Sequence, residues 1–377
     1  MTDRRIPLSV PDLRGNEAAY LAKCVTDNWV STAGPFVTEL EDRMAALCGR
    51  RAAVACVNGS AALHVALLAL GVAPGDVVIV PDWTFAATAN AIVHAGAQPC
   101  FVDIQRSDWT VSPQSIETAF AKYGKRIRAI VAVDVVGNLP DPGPLNEIAA
   151  RYDVPVLEDA AGAIGAARDG MPAGSLGKAA VFSFNGNKLV TAGGGGVVVT
   201  DDEELAARFR HVTTQARTGQ DYRHDAVGFN YRMTNLNAAV GVAQLEVLDA
   251  LLADKRRIAR DYQRAVAGRS DMAFMPVSRP EESSYWLVNV VVADEPSMRS
   301  LVSHLSQAGI DARPFWCSLS EQGPYRAFHS VAVDVSRALT DCVVTLPCSS
   351  NLKAEDQARV LKALDEWQGH RLPESAE

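Results

Sequence analysis

The chain of 377 residues is predicted to be an α/β protein, with a mostly parallel central sheet in a large domain and a smaller C-terminal α+β domain. Three observations predict this. Short apolar, mostly β-branched runs recur through the first two hundred residues. Helix-like segments lie between several of them. The alternation then ends near Asn235, where a long helical stretch begins. Strand–helix alternation with strands apolar along their whole length is the pattern of a parallel sheet covered on both faces.

The elements follow in order. Phe36, Leu40, Met44 and Leu47 fall on one face of a helix over Phe36–Cys48. A second helix runs from about Ser60 to Leu70 and stops at Gly71, with Pro74-Gly75 beyond it. Strands are expected at Val77–Val80, Ile130–Val136, Val154–Leu157, Val181–Phe184 and Val197–Thr200, with helices at Thr84–Ala95 and Pro144–Tyr152. Pro155 sits at the start of its run, where a strand tolerates proline. Leu236–Val266 reads as strongly helical, with no proline. Then come a strand at Trp286–Val292, a helix around Met298–Ala308 and an amphipathic helix over Ala354–Trp367. The domains are set at 1–245, the large α/β domain, and 246–377, the small α+β domain. The ends, Met1–Arg5 and Pro373–Glu377, are expected to fray.

Composition narrows the function. Hydrophobic residues at 48% and charged residues at 21% are those of an ordinary globular protein. A formal net charge of −8 leaves no basic excess to neutralise phosphates, which argues against nucleic-acid partners and anionic membranes. The cluster Lys255, Arg256, Arg257 reads as a solvated helix face. No apolar run reaches about 18 residues, so no membrane span is expected. The start, Met1–Ser9, lacks a signal-peptide stretch. The seven cysteines form no CxxC pair and are expected to be reduced structural thiols in a cytoplasmic protein, and no metal site is expected.

Three segments carry chemistry. An apolar strand ends in Leu157-Glu158-Asp159-Ala160-Ala161, presenting two carboxylates where open α/β sheets bind ligands. The plainer alternative is an acid capping a turn. A second strand ends in Phe182-Ser183-Phe184-Asn185-Gly186-Asn187-Lys188, followed by four glycines, Gly193–Gly196. Such glycines let the backbone approach a bulky group or take dihedrals other residues avoid; a flexible hairpin is the alternative. Third, Val57-Asn58-Gly59-Ser60 is a strand end leading into a helix start, suited to a phosphate or to a simple N-cap. Gly177-Lys178 is followed by Ala179 and lacks Walker spacing, and no GxGxxG opens a βα turn. Together the three segments supply what a pyridoxal phosphate (PLP) enzyme needs: a Schiff-base lysine, a carboxylate for the pyridinium nitrogen and a helix N-terminus for the phosphate.

On these residues the chain resembles the DegT-type sugar aminotransferases, PLP-dependent enzymes of fold type I (aspartate aminotransferase-like). The likeness runs through Trp29–Phe36, Asn58–Leu63, Pro81–Phe85, Glu158–Ala161, Ser183–Lys188 and Gly228–Asn235. It implies that Lys188 is the Schiff-base lysine and proton carrier, and that Asp159 pairs with the pyridine nitrogen. Gly59, Ser60 and Ser183 are implied to hold the phosphate, with Phe85 stacked on the ring. The Gly-x-Asn-x-Arg-Met loop is implied to reach the neighbouring subunit's site, Asn230 at the phosphate and Arg232 at the donor carboxylate, in a homodimer. Thr32, Phe315 and Trp316 are expected at the substrate, with Tyr325 beside them; small-domain core packing is the alternative for these aromatics.

Two positions depart from the family. Gly162 stands where Gln, Glu or His usually follows the Asp-Ala-Ala run, and Asp134 stands where a His is common. The implied reaction moves an amino group from glutamate to a nucleotide-linked keto sugar. Val212–Arg217 and Phe184–Asn187 look closest to C4 aminotransferases of UDP-linked 4-keto-6-deoxy-N-acetyl sugars, which is the favoured expectation. Ala312–Trp316 resembles perosamine-type enzymes, which use GDP-4-keto-6-deoxymannose, and C3 amination of dTDP sugars stays open. A PLP sugar dehydratase uses His in place of the lysine, so Lys188 argues against it. A non-catalytic regulator is disfavoured by the Lys188–Asp159 pair, and a nicotinamide-dependent epimerase is the alternative without PLP.

Overall fold

The computed structural model describes residues 5–219 and 221–373. The expectation of frayed ends falls largely outside them. Two helices open the chain, α1 (Glu17–Thr26) and α2 (Pro35–Cys48). Pro35 is at the start of α2, where its missing N–H costs nothing. Phe36, Leu40 and Met44 are buried, as the helical spacing predicted, while Leu47 is half-buried and Cys48 beside it is buried. Strands and helices then alternate: β1 (Ala52–Cys56), α3 (Gly59–Ala69), β2 (Val77–Pro81), α4 (Ala86–His94), β3 (Gln98–Val102), α5 (Pro113–Tyr123), β4 (Ile127–Val133), α6 (Pro142–Tyr152) and β5 (Val156–Asp159). A short hairpin of β6 (Ala167–Arg168) and β7 (Met171–Pro172) precedes β8 (Ala179–Ser183), β9 (Gly196–Thr200) and α7 (Glu203–Thr213). Side-chain caps mark many starts: Asn58, Ser112, Asp141 and Asp202 each accept a hydrogen bond from a first-turn N–H.

The main sheet has the order β1-β9-β8-β5-β4-β2-β3 with one more strand beyond β3. Within this sheet β9 alone, among the described strands, runs against the direction of the others. Parallel β8, β5 and β4 therefore deliver their C-terminal ends, Ser183, Asp159 and Val133, to one edge. β2 and β5 are buried along their whole length, as two-sided coverage by helices requires.

The rest comprises α8 (Asn235–Leu245), α9 (Leu248–Val266), β10 (Met272–Phe274), β11 (Val288–Val292), α10 (Glu295–Gln307), β12 (Arg313–Pro314), β13 (His329–Val331), α11 (Asp334–Leu339), β14 (Val343–Leu346) and α12 (Ala354–Glu366). β10, β11, β14 and β12 form a separate antiparallel sheet in that order. Leu236–Val266 is helical as expected, but bent: α8 and α9 meet at 64° where Val247 leaves helical geometry (φ −113°, ψ 11°). No proline or glycine announced that break. Two pairings span the expected boundary at 245/246. β13 pairs in parallel with β3 at the edge of the main sheet, and Ile6 bridges to Ile310. Each end of the chain thus packs with the other part, a long-range pairing that local pattern does not encode.

Five cysteines, Cys24, Cys48, Cys56, Cys100 and Cys348, are buried and unpaired. No single described helix is long and apolar enough to cross a membrane.

Asn235, fully buried at the start of α8, ties the loop between α1 and α2 to that helix. Its Oδ1 accepts from Phe36 N at 2.9 Å, and its Nδ2 donates to Trp29 O at 2.9 Å. Asn235→Ala leaves both backbone groups without a partner. The expected loss is about 1–3 kcal/mol of unfolding free energy, read from the urea midpoint.

Candidate active site

The C-terminal ends of β4, β5 and β8 and the N-termini of α3 and α4 surround a cavity of about 320 Å³. Its walls include Gly59, Ser60, Phe85, Asp134, Asp159, Ser183 and Lys188, with Trp286 and Trp316 from the C-terminal part. Sequence reading placed most of these together. The sheet topology explains why: residues distant in sequence end adjacent parallel strands.

Lys188 lies in the turn after β8, its side chain half-buried and its Nζ 3.2 Å from the centroid of the Trp286 ring. Burial disfavours the ammonium and lowers its pKa to about 7, while the negative charge of Asp159 pulls the other way. Asp159, the last residue of β5, is 4% exposed. It accepts from Thr88 Oγ1 at 2.7 Å and from Ala161 N at 3.2 Å. Burial raises its pKa, and these hydrogen bonds and Lys188 oppose the rise.

At the other end of the cavity, α3 begins. Asn58 caps it by accepting from Ala61 N at 2.8 Å, while the Gly59 and Ser60 N–H groups have no acceptor within the helix. A Cβ on Gly59 would lie 2.8 Å from that of Ser183, so glycine lets the helix start sit against the end of β8. The glycine run is likewise structural rather than a loose hairpin. A Cβ on Gly196 would fall 2.7 Å from the carbonyl carbon of Asn58. These contacts gather backbone N–H groups and two hydroxyls, Ser60 and Ser183, at one end of the cavity, a set of donors that could hold an anion.

Phe85 precedes α4 and is 59% exposed, so it is not a core aromatic; its ring faces Trp316 at 6.4 Å between centroids. Asp134 follows β4 and is 2% exposed. Neither of its oxygens has a hydrogen-bond donor among the described residues. Glu158 beside it accepts from Gly174 N at 2.7 Å and Leu176 N at 2.8 Å. Burial and the charge of Glu158 push the pKa of Asp134 well up, and burial raises that of Glu158 too, against the pull of its backbone donors.

Several expected residues lie elsewhere. Phe315 is not in the cavity wall. Its ring is buried, 4.4 Å from Trp316 and 5.8 Å from Trp83 between centroids, which is core packing. Tyr325 is buried too, donating to Asn90 Oδ1 at 2.6 Å. Thr32 belongs to the loop before α2 and is outside the cavity of its own chain. Asn230 and Arg232 are exposed and also outside it. Arg232 forms no ion pair within the described residues. Thr88 and Trp286 were not singled out. Thr88 follows Phe85 by less than one helical turn, so α4 carries both toward the cavity. Trp286 was read as the head of a strand, where a lone indole among β-branched residues is its only signal.

The comparisons with known proteins agree with this geometry. Residues 11–365 match the DegT/DnrJ/EryC1/StrS aminotransferase family. The GDP-perosamine synthase of Caulobacter vibrioides is 36% identical over 366 residues, covering 96% of this chain and 98% of that protein. EpsN of Bacillus subtilis, described as a pyridoxal phosphate-dependent aminotransferase, is 35% identical over 369 residues and covers 96% and 95%. The crystal structure of DesV from S. venezuelae superposes with a TM-score of 0.89 at 30% identity, covering 97% and 98%.

A lysine with a pKa near 7 is reactive where surface lysines are not. In the cofactor-free protein, acylation of Lys188 is expected to rise with a midpoint near pH 7, against about 10.4 for an ordinary lysine. Peptide mass spectrometry across a pH series checks this.

Proposed function

The chain belongs to the DegT/DnrJ/EryC1/StrS aminotransferase family, and on that premise we propose that it transfers an amino group from glutamate to C4 of a nucleotide-linked 4-keto-6-deoxy sugar. It is a PLP-dependent sugar aminotransferase of fold type I. A GDP-linked acceptor of the perosamine type is favoured over the UDP-N-acetyl type. The likeness to the Caulobacter GDP-perosamine synthase spans nearly the whole chain, and Ala312–Trp316 carries the same resemblance. The single observation that carries the reading is the placing of the Lys188 amine and the buried Asp159 carboxylate in one cavity, beside the open start of α3.

The residues fit PLP. The cradle of Gly59, Ser60 and Ser183 suits its phosphate, Asp159 its pyridine nitrogen and Lys188 its carbonyl. Phe85 offers a face to the ring. Bound there, the cofactor supplies a carbonyl that bonds amines and a ring that accepts electrons. The chain does the rest. Asp159, held by Thr88, keeps a negative charge at the pyridine nitrogen. Lys188 Nζ takes the proton from the donor's Cα in the first half-reaction and gives one to the sugar's C4 in the second. A pKa near 7 lets the same amine hold and release that proton near neutral pH. Phe85 and Trp316 border the approach to it. Asn230 and Arg232, exposed and outside their own cavity, are assigned to the neighbouring subunit's phosphate and donor carboxylate in a homodimer.

Purified with PLP, the protein is expected to be yellow and to bleach with glutamate. Given GDP-, UDP- and dTDP-linked keto sugars, it aminates the GDP-linked one fastest, measured by mass spectrometry of products. A protein that never takes up PLP overturns the reading, and a preference for the UDP-N-acetyl acceptor overturns the choice of nucleotide. Lys188→Ala lowers turnover by about 10²–10⁴-fold or more, measured by the same product assay.

The shared site makes a separate prediction. Lys188→Ala and Arg232→Ala subunits are each nearly inactive alone. Unfolded and refolded together, they regain activity, because a hybrid dimer has one site free of both changes; a turnover assay on the mixture reads it.

A further inference from the structure

Trp286 is unusually tied to the residue that does the chemistry. Its ring centroid lies 3.2 Å from Lys188 Nζ. Its indole Nε1–H donates to Asn187 O, the carbonyl immediately before the lysine, at 2.8 Å. The same ring occupies the space above Gly162, where a Cβ would meet Trp286 Cε3 at 2.5 Å. The Ser284 hydroxyl donates to Gly162 O at 3.0 Å, fastening the same two segments.

The backbone around Trp286 is held firmly. Tyr285 adopts a φ of 45°, a conformation that bulky residues rarely take and that the surroundings must enforce. Trp286 O accepts from the buried Lys255 Nζ on α9 at 2.7 Å. A strained residue on one side and a buried lysine donor on its own carbonyl fix the position of the indole.

We propose that Trp286 is a positioning residue whose indole face holds the Lys188 amine whenever that amine is not bonded to the cofactor, and that Gly162 is glycine in order to admit the ring. The proposal rests on the reading of Lys188 as the cofactor lysine. An ammonium over an indole face is attracted by the ring's electron density, and a neutral amine packs there as well. The lysine therefore has a defined resting place within reach of the reacting carbon, instead of a set of rotamers open to water. The ring also keeps water from the amine, consistent with its lowered pKa. A side chain at 162 and the indole cannot share this space, so the departure at Gly162 and the presence of Trp286 are one feature.

The test compares Trp286→Ala, Trp286→Phe and Gly162→Ala. In the cofactor-free proteins, pH-dependent acylation of Lys188 is followed by peptide mass spectrometry. Trp286→Ala is expected to move the midpoint upward by about one unit or more, because water reaches the ammonium. Trp286→Phe retains an aromatic face and stays near the parent. Gly162→Ala displaces the indole and shifts the midpoint in the same direction as Trp286→Ala. In the PLP-loaded enzymes, single-turnover bleaching by glutamate slows about tenfold in Trp286→Ala, with KM for glutamate little changed. Thermal melts confirm that each variant is folded; should Trp286→Ala not fold, Gly162→Ala alone carries the comparison. An unchanged midpoint in folded Trp286→Ala or Gly162→Ala overturns the proposal, as does equal damage from Trp286→Phe and Trp286→Ala. Acylation needs neither cofactor nor sugar, so failure of the proposed function shows up separately, as a parent protein that binds no PLP.

Discussion

One constraint underlies the active-site end of the molecule: a lysine amine and an aspartate carboxylate share a cavity largely out of water. Neither group is stable there by itself, because burial disfavours the charged form of each. The fold offsets the cost unequally. Asp159 receives two hydrogen bonds from Thr88 and Ala161. Lys188 receives an aromatic face and only the more distant charge of Asp159. The carboxylate is thereby anchored while the amine is left responsive, which suits a fixed counter-charge and a mobile proton carrier.

The parallel sheet makes this arrangement possible. β4, β5 and β8 end on the same edge, so Asp134, Asp159 and Ser183 converge although the intervening chain is long. Glycines then permit helix starts and strand ends to meet at van der Waals distance, as at Gly59 and Gly196. The carboxylates at that edge are held differently: Glu158 takes its hydrogen bonds from the backbone, burial pushes the pKa of Asp134 well up, and Asp159 is held by Thr88 and Ala161.

Much of this was legible in the sequence. Apolar β-branched runs located five of the eight strands of the main sheet, since strands buried on both faces have no polar alternation to disguise them. The acid after one run and the lysine after another read as ligand-facing because parallel strands end together. What failed depended on distance. Residues 329–331 are too short to register as a strand, and their partner β3 is far away in sequence. The bend between α8 and α9 has no proline or glycine to mark it. Phe315 and Tyr325 were expected at the substrate, but an aromatic ring serves a core equally well and composition does not separate the two uses. Trp286 went unnoticed because its importance lies in what it touches, Gly162 and Lys188, neither of which neighbours it in the chain.

The strand at 329–331 has a consequence for how the protein comes into being. It closes the β3 edge of the main sheet, and its partner residues Cys100–Val102 are made long before it. During synthesis the sheet therefore carries an open, apolar border until the last part of the chain emerges. Such a border is a template for pairing with other chains. Truncation before residue 329 would leave that border uncovered, so a segment made late completes an edge made early.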